Sequence, residues 1–288
     1  MIGKQAFNVC SNLENISFQE PSNLITIDES AFNGCNKLKS FLIPSLVKTI
    51  GGQSFNGCLN LRDVSFQKTS NLAIIGSSAF EGCVELKSIS IPLSVLVINY
   101  NTFYNCSNLK DVSFQETSVL NYIGSYAFPH CVNLRTIKLP PQLEVISSHL
   151  FEECTELKSI TILSNISEIQ EYAFLNCSNL ECILYYGTNN PETIYDNSFS
   201  GCENLSIVIT YSTYSNEKFG QFNVSKSSKL PLTCHIEPDQ YKSEKKLKSG
   251  EIAAIVICSF IFIVIICAIL FFTVFRKKKN KTQDENTP

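Results

Sequence analysis

Nine times along this chain a phenylalanine is followed three residues later by a cysteine and six residues later by a leucine. The phenylalanines are Phe7, Phe32, Phe55, Phe80, Phe103, Phe128, Phe151, Phe174 and Phe199, and the cysteines are Cys10, Cys35, Cys58, Cys83, Cys106, Cys131, Cys154, Cys177 and Cys202. The leucines run from Leu13 and Leu38 to Leu180 and Leu205. Successive phenylalanines are 25, 23, 25, 23, 25, 23, 23 and 25 residues apart. A unit this short cannot bury its own apolar side chains and must stack on a neighbour, so the period restricts the chain to a repeat architecture. The nine units fill residues 1–219 and leave no room there for a second globular domain.

Each unit reads A-F-x-x-C-x-x-L-x-x-I-x-I, then a short connection, then L-x-x-I. In the unit containing Ala79, Phe80, Cys83 and Leu86, Ile89 and Ile91 alternate with Ser88 and Ser90. That alternation predicts a short, half-buried strand. Pro92 has no N–H to give to a ladder and ends it. Units of 25 residues carry Ser17-Phe18-Gln19, Ser65-Phe66-Gln67 or Ser113-Phe114-Gln115, where the 23-residue units often have Ile-Pro or Leu-Pro. Two kinds of coil therefore alternate. Stacked in register, they predict a solenoid of about nine coils with a curved parallel strand ladder, the strands about 4.8 Å apart.

The pattern A-F-x-x-C-x-x-L-x-x-I-x-I-P-x-S-L-x-x-I-G resembles the BspA-like, or Treponema-type, leucine-rich repeats of bacterial surface proteins, a group also expanded in parasitic protists such as Trichomonas. The resemblance covers about three quarters of the chain. It implies an α/β leucine-rich repeat solenoid that serves as a surface antigen or adhesin. It names no ligand, because a fold does not fix a function.

Thirteen cysteines are too many for an average cytosolic enzyme and too dilute for a small disulfide-stapled scaffold, and nine of them are the repeat markers. A cysteine between a buried phenylalanine and a buried leucine reads as a small apolar core residue with a free thiol. Stacked neighbours present parallel Cβ vectors, which disfavours disulfides, and the spacing lacks the C-x-x-C pairing and histidines of a metal site. Cys182 and Cys234 fall outside the register, and the sequence leaves open whether they pair.

Residues 252–275 contain no charge and are apolar almost throughout. As a helix they would span about 36 Å, enough for a hydrocarbon core of about 30 Å, which predicts a single transmembrane helix. Residues 276–288 form a basic tail beginning Arg276, Lys277, Lys278 and Lys279, read as cytoplasmic from the positive-inside rule. Residues 220–251 are polar, broken by Pro231 and Pro238, and read as a stalk. Lys242, Lys245, Lys246 and Lys248 on the other flank make the charge asymmetry slight, and the chain opens inside a repeat without a signal peptide. Two arrangements follow. The repeats are extracellular at the plasma membrane, or the protein is tail-anchored in an internal membrane as a cytosolic scaffold that recruits partner proteins.

The solvent-facing ladder positions are the candidate binding surface. The third and fifth positions of L-x-x-I-x-I give a hydroxyl-rich concave face that includes Asp63, Ser65, Ser88, Ser90, Asp111, Ser113, Thr136 and Lys138. The second position gives a basic column, Lys39, Arg62, Lys87, Lys110, Arg135 and Lys158, in six consecutive coils. That column is either an interaction stripe for an acidic glycan or protein, or a solvated edge whose long stems cover the solenoid's flank. In the last coils Cys182, Leu184, Ile207 and Ile209 turn the same face apolar, which suggests contact with a further element or a partner. No cofactor is expected. A net charge of -3 argues against a nucleic-acid partner. His130, His149 and His235 share no spacing with a nucleophile, and no glycine-rich phosphate loop or G-x-S-x-G turn occurs, so no enzyme is expected.

Overall fold

The chain divides into two compact units, Met1–His235 and Ile236–Pro288. This computed structural model describes residues 1–227, all within the first unit. The expected transmembrane helix at 252–275, the basic tail and most of the stalk lie outside the described residues.

The first unit is a parallel β-solenoid with two strand ladders per turn. A two-residue ladder is built by the x-I of L-x-x-I: β1 (Thr26–Ile27), β3 (Thr49–Ile50), β5 (Ile74–Ile75), β7 (Val97–Ile98), β9 (Tyr122–Ile123), β11 (Val145–Ile146), β13 (Glu168–Ile169) and β15 (Thr193–Ile194). A longer ladder, mostly of four-residue strands, follows the leucine: β2 (Ser40–Ile43), β4 (Asp63–Phe66), β6 (Ser88–Ile91), β8 (Asp111–Phe114), β10 (Thr136–Lys138), β12 (Ser159–Ile162), β14 (Cys182–Tyr185) and β16 (Ile207–Tyr211). Equivalent residues pair throughout, as in Ser40↔Asp63 and Ser159↔Cys182. Among the described residues there is no helix, so the α/β expectation is corrected to an all-β solenoid. Each motif closes its turn with tight bends, and these leave no run of residues long enough for a helix.

The expectation of about nine coils is corrected to about eight complete turns. The first motif has no counterpart to the longer strands, because residues 15–18 form none. Beyond the last motif, β17 (Lys218–Phe219) and β18 (Phe222–Ser227) form an antiparallel pair, and β18 also pairs in parallel with β16. The ladder therefore runs past the expected boundary at residue 219.

A third side of each turn carries the Phe motif and has its own coil-to-coil bonding. The Phe N–H donates to the carbonyl of the residue preceding the next coil's Phe, as in Phe55 to Ala79 and Phe103 to Ala127, both 2.8 Å. The rings form one column, with neighbouring centroids 5.0–5.7 Å apart and planes within 2–19° of parallel. Beside it, each thiol from Cys35 to Cys202 donates to the Phe carbonyl of the preceding coil at 3.0–3.4 Å. All nine repeat cysteines are free; the eight from Cys35 to Cys202 are buried as expected for core residues, and Cys10 in the first motif is exposed. Burial pushes the Cys58 thiol up to about 12 and those of Cys83, Cys106, Cys131, Cys154 and Cys177 well above the usual thiol range. They are inert side chains, not reactive ones.

The length alternation has a structural consequence in the longer ladder. Where a 23-residue coil is followed by a 25-residue one, pairing is full, with four pairs each for β2–β4, β6–β8 and β12–β14. Where a 25-residue coil is followed by a 23-residue one, pairing fails. β4 and β6 share one pair, Asp63↔Ser88. No pairing joins β8 to β10, and the first coil offers β2 no strand at all. In three of the four 25-residue coils the position that is aliphatic in the shorter coils is Phe18, Phe66 or Phe114, the last two ending β4 and β8. These rings are only partly buried, and the extra connector residues widen the loop beyond them. The two-residue ladder is also interrupted between β9 and β11. The Phe and Cys columns continue through every junction.

Two glycines separate backbone conformation from crowding. Gly57 has φ +67 and a Cβ there would meet nothing within 4 Å, whereas a Cβ on Gly76 would sit 2.6 Å from the backbone nitrogen of Gly52. Gly57→Ala should therefore cost about 1 kcal/mol, the left-handed penalty alone. Gly76→Ala forces two coils apart and should cost at least about 3 kcal/mol. Equilibrium denaturation of both variants checks the order.

Candidate functional site

A concavity lies where the ladder opens between β4 and β6. It is a cleft of about 810 Å³ whose strand walls include Asp63, Ser65, Ser88, Ser90, Asp111 and Ser113, with residues 67–71 and Gln115 from the wide connectors around them. Strand alternation turns the hydroxyl and carboxylate side chains outward while Val64, Ile89 and Val112 point into the core. The pairings Asp63↔Ser88 and Ser88↔Asp111 place the two aspartates two strands apart, about 10 Å, with the Ser88 hydroxyl between them.

Six of the eight residues expected on the concave face therefore meet in one cleft. The other two, Thr136 and Lys138, sit on β10, across the unpaired junction, and do not line it. Lys138 is 3.4 Å from Glu116, which is an exposed ion pair.

The basic column is exposed along its whole length. Backbone bonds keep it in register: Arg62 N–H donates to the Lys39 carbonyl, Lys110 to Lys87 and Lys158 to Arg135, at 2.8–2.9 Å. Its charge is uneven. Lys39 Nζ lies 2.9 Å from Glu14, and its ammonium holds that carboxyl below the usual carboxylate range. Arg62 Nε lies 3.4 Å from Glu85. Among the described residues Lys87, Lys110, Arg135 and Lys158 have no such partner, so the positive run starts beside the cleft and continues past it. Its neighbours in the column at the two ends are acidic or neutralised: Glu14 with Lys39, and Glu181 after Lys158.

One contributor escaped the sequence reading. The Gln67 side chain accepts from the Ser45 N–H at 2.7 Å and donates to Glu20 at 2.5 Å, reaching across two coils to hold the connector that walls the cleft. The recurrence of Ser-Phe-Gln in the longer coils was the available signal. His130 and His149 lie in the Phe-bearing turns, each 2.9 Å from a glutamate, Glu153 and Glu152 respectively. His149 stacks between Tyr126 and Tyr172, and neither histidine lines the cleft. Among the described residues no cluster of His, Cys, Asp and Glu is arranged to hold a metal ion.

The description of the BspA type leucine-rich repeat region matches this chain over residues 1–110, 73–206 and 121–248. No curated protein sequence matches it. Among solved structures, a leucine-rich repeat protein of T. pallidum is 27% identical, with 58% of this chain and 78% of that one covered and a TM-score of 0.49. A leucine-rich repeat protein from Bacteroides ovatus is 22% identical over 78% of this chain and 80% of its own, with a TM-score of 0.42. The pneumococcal vaccine antigen PcpA is 19% identical over 73% and 71% respectively, with a TM-score of 0.37.

The cleft side chains stand on the outer face and contribute little to the core. Asp63→Asn combined with Asp111→Asn should leave the unfolding free energy within about 0.5 kcal/mol of the parent while removing both charges from the cleft. Denaturant unfolding measures this directly.

Proposed function

Because the chain belongs to the BspA-type leucine-rich repeat family, we propose that it is a membrane-anchored surface protein, an adhesin or antigen, that binds a protein or glycan on its longer ladder face. Repeat solenoids of this kind are generally binding scaffolds, not enzymes, and their extended faces are where partners dock. The observation that carries the reading is the junction of cleft and basic run. The ladder opens at β4–β6 into a hydroxyl-lined cleft, and the unpaired Lys87 and Lys110 stand beside it in the same coils as Ser88 and Asp111. Hydroxyls and carboxylates suit the hydrogen bonds of a sugar or a peptide backbone. The lysines add long-range attraction for an acidic partner.

Compartment is supported by chemistry at Cys182, which is disulfide-bonded while the nine other described cysteines are free. Disulfides persist in oxidising environments and are rare in the cytosol. That favours repeats on the outer side of a plasma membrane, with residues 252–275 as the anchor, over a cytosolic scaffold.

Two measurements test the proposal. Antibodies to the repeats should label intact, non-permeabilised cells, and labelling confined to permeabilised cells would reject surface display. Lys87→Glu with Lys110→Glu should weaken retention on a sulfated polysaccharide such as heparin by about fivefold or more at low salt, the difference shrinking as ionic strength rises. Unchanged retention would remove the basic run from the binding surface.

A further inference from the structure

On the Phe-bearing side of the solenoid, one outer column changes character in three consecutive coils. Two residues before Phe32, Phe55, Phe80 and Phe103 stand Ser30, Gln53, Ser78 and Asn101, whereas Tyr126, His149 and Tyr172 stand before Phe128, Phe151 and Phe174. All seven have φ between +54 and +58, a left-handed backbone that suits small or amide side chains and resists bulky ones. The three rings are not there to fill the core, since all three residues are partly exposed. They stack on one another. Tyr126 and His149 have centroids 4.4 Å apart and planes 10° from parallel, and His149 and Tyr172 are 5.1 Å apart at 33°. By position the column continues to Asn101 at one end and Asn197 at the other, so none of its rings covers the outer faces of Tyr126 and Tyr172.

Carboxylates border this stack, and lysines and arginines do not. Glu152 Oε2 lies 2.9 Å from His149 Nδ1, and a carboxylate can accept further donors. Burial and, second to it, the Glu152 charge push the Tyr126 phenol up, so Glu152 serves both rings. Glu171, next to Tyr172, is exposed, and its carbonyl accepts the His149 N–H at 3.2 Å. No Lys or Arg occurs between Lys110 and Arg135, between Lys138 and Lys158, or between Lys158 and Lys218. The cations of these coils all stand at the longer ladder, Arg135 and Lys158 just before β10 and β12 and Lys138 at the end of β10. Charge is thus segregated between two sides of the same turns.

We propose that the Tyr126–His149–Tyr172 stack is a second docking surface, opposite in charge to the basic column, and that it takes an arginine-bearing segment of a partner protein. A guanidinium is flat and weakly hydrated. It lies on the face of an aromatic ring while its in-plane N–H groups reach a carboxylate, and this stack offers both within one coil spacing. An ammonium meets the carboxylates as a point charge and gains less from the rings, so the surface discriminates between two cations of equal charge. A neutral sugar would use the rings and leave the carboxylates idle. None of these residues lines the cleft at β4–β6, so the two surfaces can be occupied independently.

The test uses the full chain in detergent and two labelled probes, a short glycine–arginine peptide and its glycine–lysine twin of equal charge, titrated by fluorescence anisotropy at one ionic strength. The arginine peptide should bind at least about fivefold more tightly than the lysine peptide. Tyr126→Ser combined with Tyr172→Ser keeps every carboxylate and should bring the arginine peptide down to the lysine level. Serine already occupies the same left-handed position at Ser30 and Ser78, so the backbone tolerates the change, and continued protection of the buried Cys131, Cys154 and Cys177 from alkylation checks the fold. Equal affinity for the two peptides would reduce the surface to an unselective acidic patch and overturn the proposal. So would failure of both peptides to bind, or an arginine preference that survives loss of the two tyrosines in the folded variant.

Discussion

The Phe carbonyl is the hinge of this architecture, because it serves two coils at once. It accepts the N–H of the cysteine three residues ahead in its own coil, as Phe80 does from Cys83 at 3.1 Å, and the thiol of the cysteine in the next coil, as from Cys106 at 3.2 Å. The Phe N–H meanwhile donates in the same direction, so each motif is tied to its neighbour by backbone, side chain and ring stacking together. This explains the choice of cysteine. Alanine would fill the space less fully and leave the carbonyl with one donor, and serine would carry a more strongly solvated hydroxyl into a dry core. A thiol is apolar enough to bury and polar enough to bond. The column it forms with the rings passes through all nine motifs, while both strand ladders are interrupted between the fifth and sixth coils.

That continuity lets the ladder be imperfect. Wherever a longer coil precedes a shorter one the strands part, and the stack of rings holds the coils together across the gap. The cleft at β4–β6 is one such junction, so the site arises from the same alternation of unit lengths that a repeat count exposes. A uniform ladder would offer a flat row of serines and aspartates. Parted strands and a connector held by Gln67 turn part of that row into a concavity beside an uncompensated run of positive charge.

Much of this was legible in the residues. The Phe, Cys and Leu columns, the inward and outward alternation of Ile89, Ile91, Ser88 and Ser90, and six of the cleft residues follow from period and polarity alone. What escaped depends on distances between coils. The two-residue ladder was missed because a T-I or V-I pair is too short to register as a strand. The failed pairing after β4 and β8, where a longer coil precedes a shorter one, reflects how a phenylalanine and two extra residues fit against a shorter neighbour, which spacing announces but does not resolve. Neutralisation of Lys39 and Arg62 by Glu14 and Glu85 rests on where flexible side chains meet across the stack, and no period encodes that. The apolar change at Cys182, Leu184, Ile207 and Ile209 is visible as an anomaly, and the structure buries Cys182, Leu184 and Ile209 while Ile207 stays exposed.

The central claim is that the Phe–Cys column, and not the strand ladders, makes the solenoid one cooperative body. Native-state hydrogen exchange tests it at the fifth-to-sixth junction, where no ladder pairing helps. The amide of Phe103, bonded only to Ala127 of the next coil, should exchange within about tenfold of the amides of Phe80 and Phe151, all three limited by global opening. Exchange at Phe103 faster by a hundredfold or more, with Phe80 and Phe151 still protected, would show the molecule opening there as two separate blocks and would contradict the account.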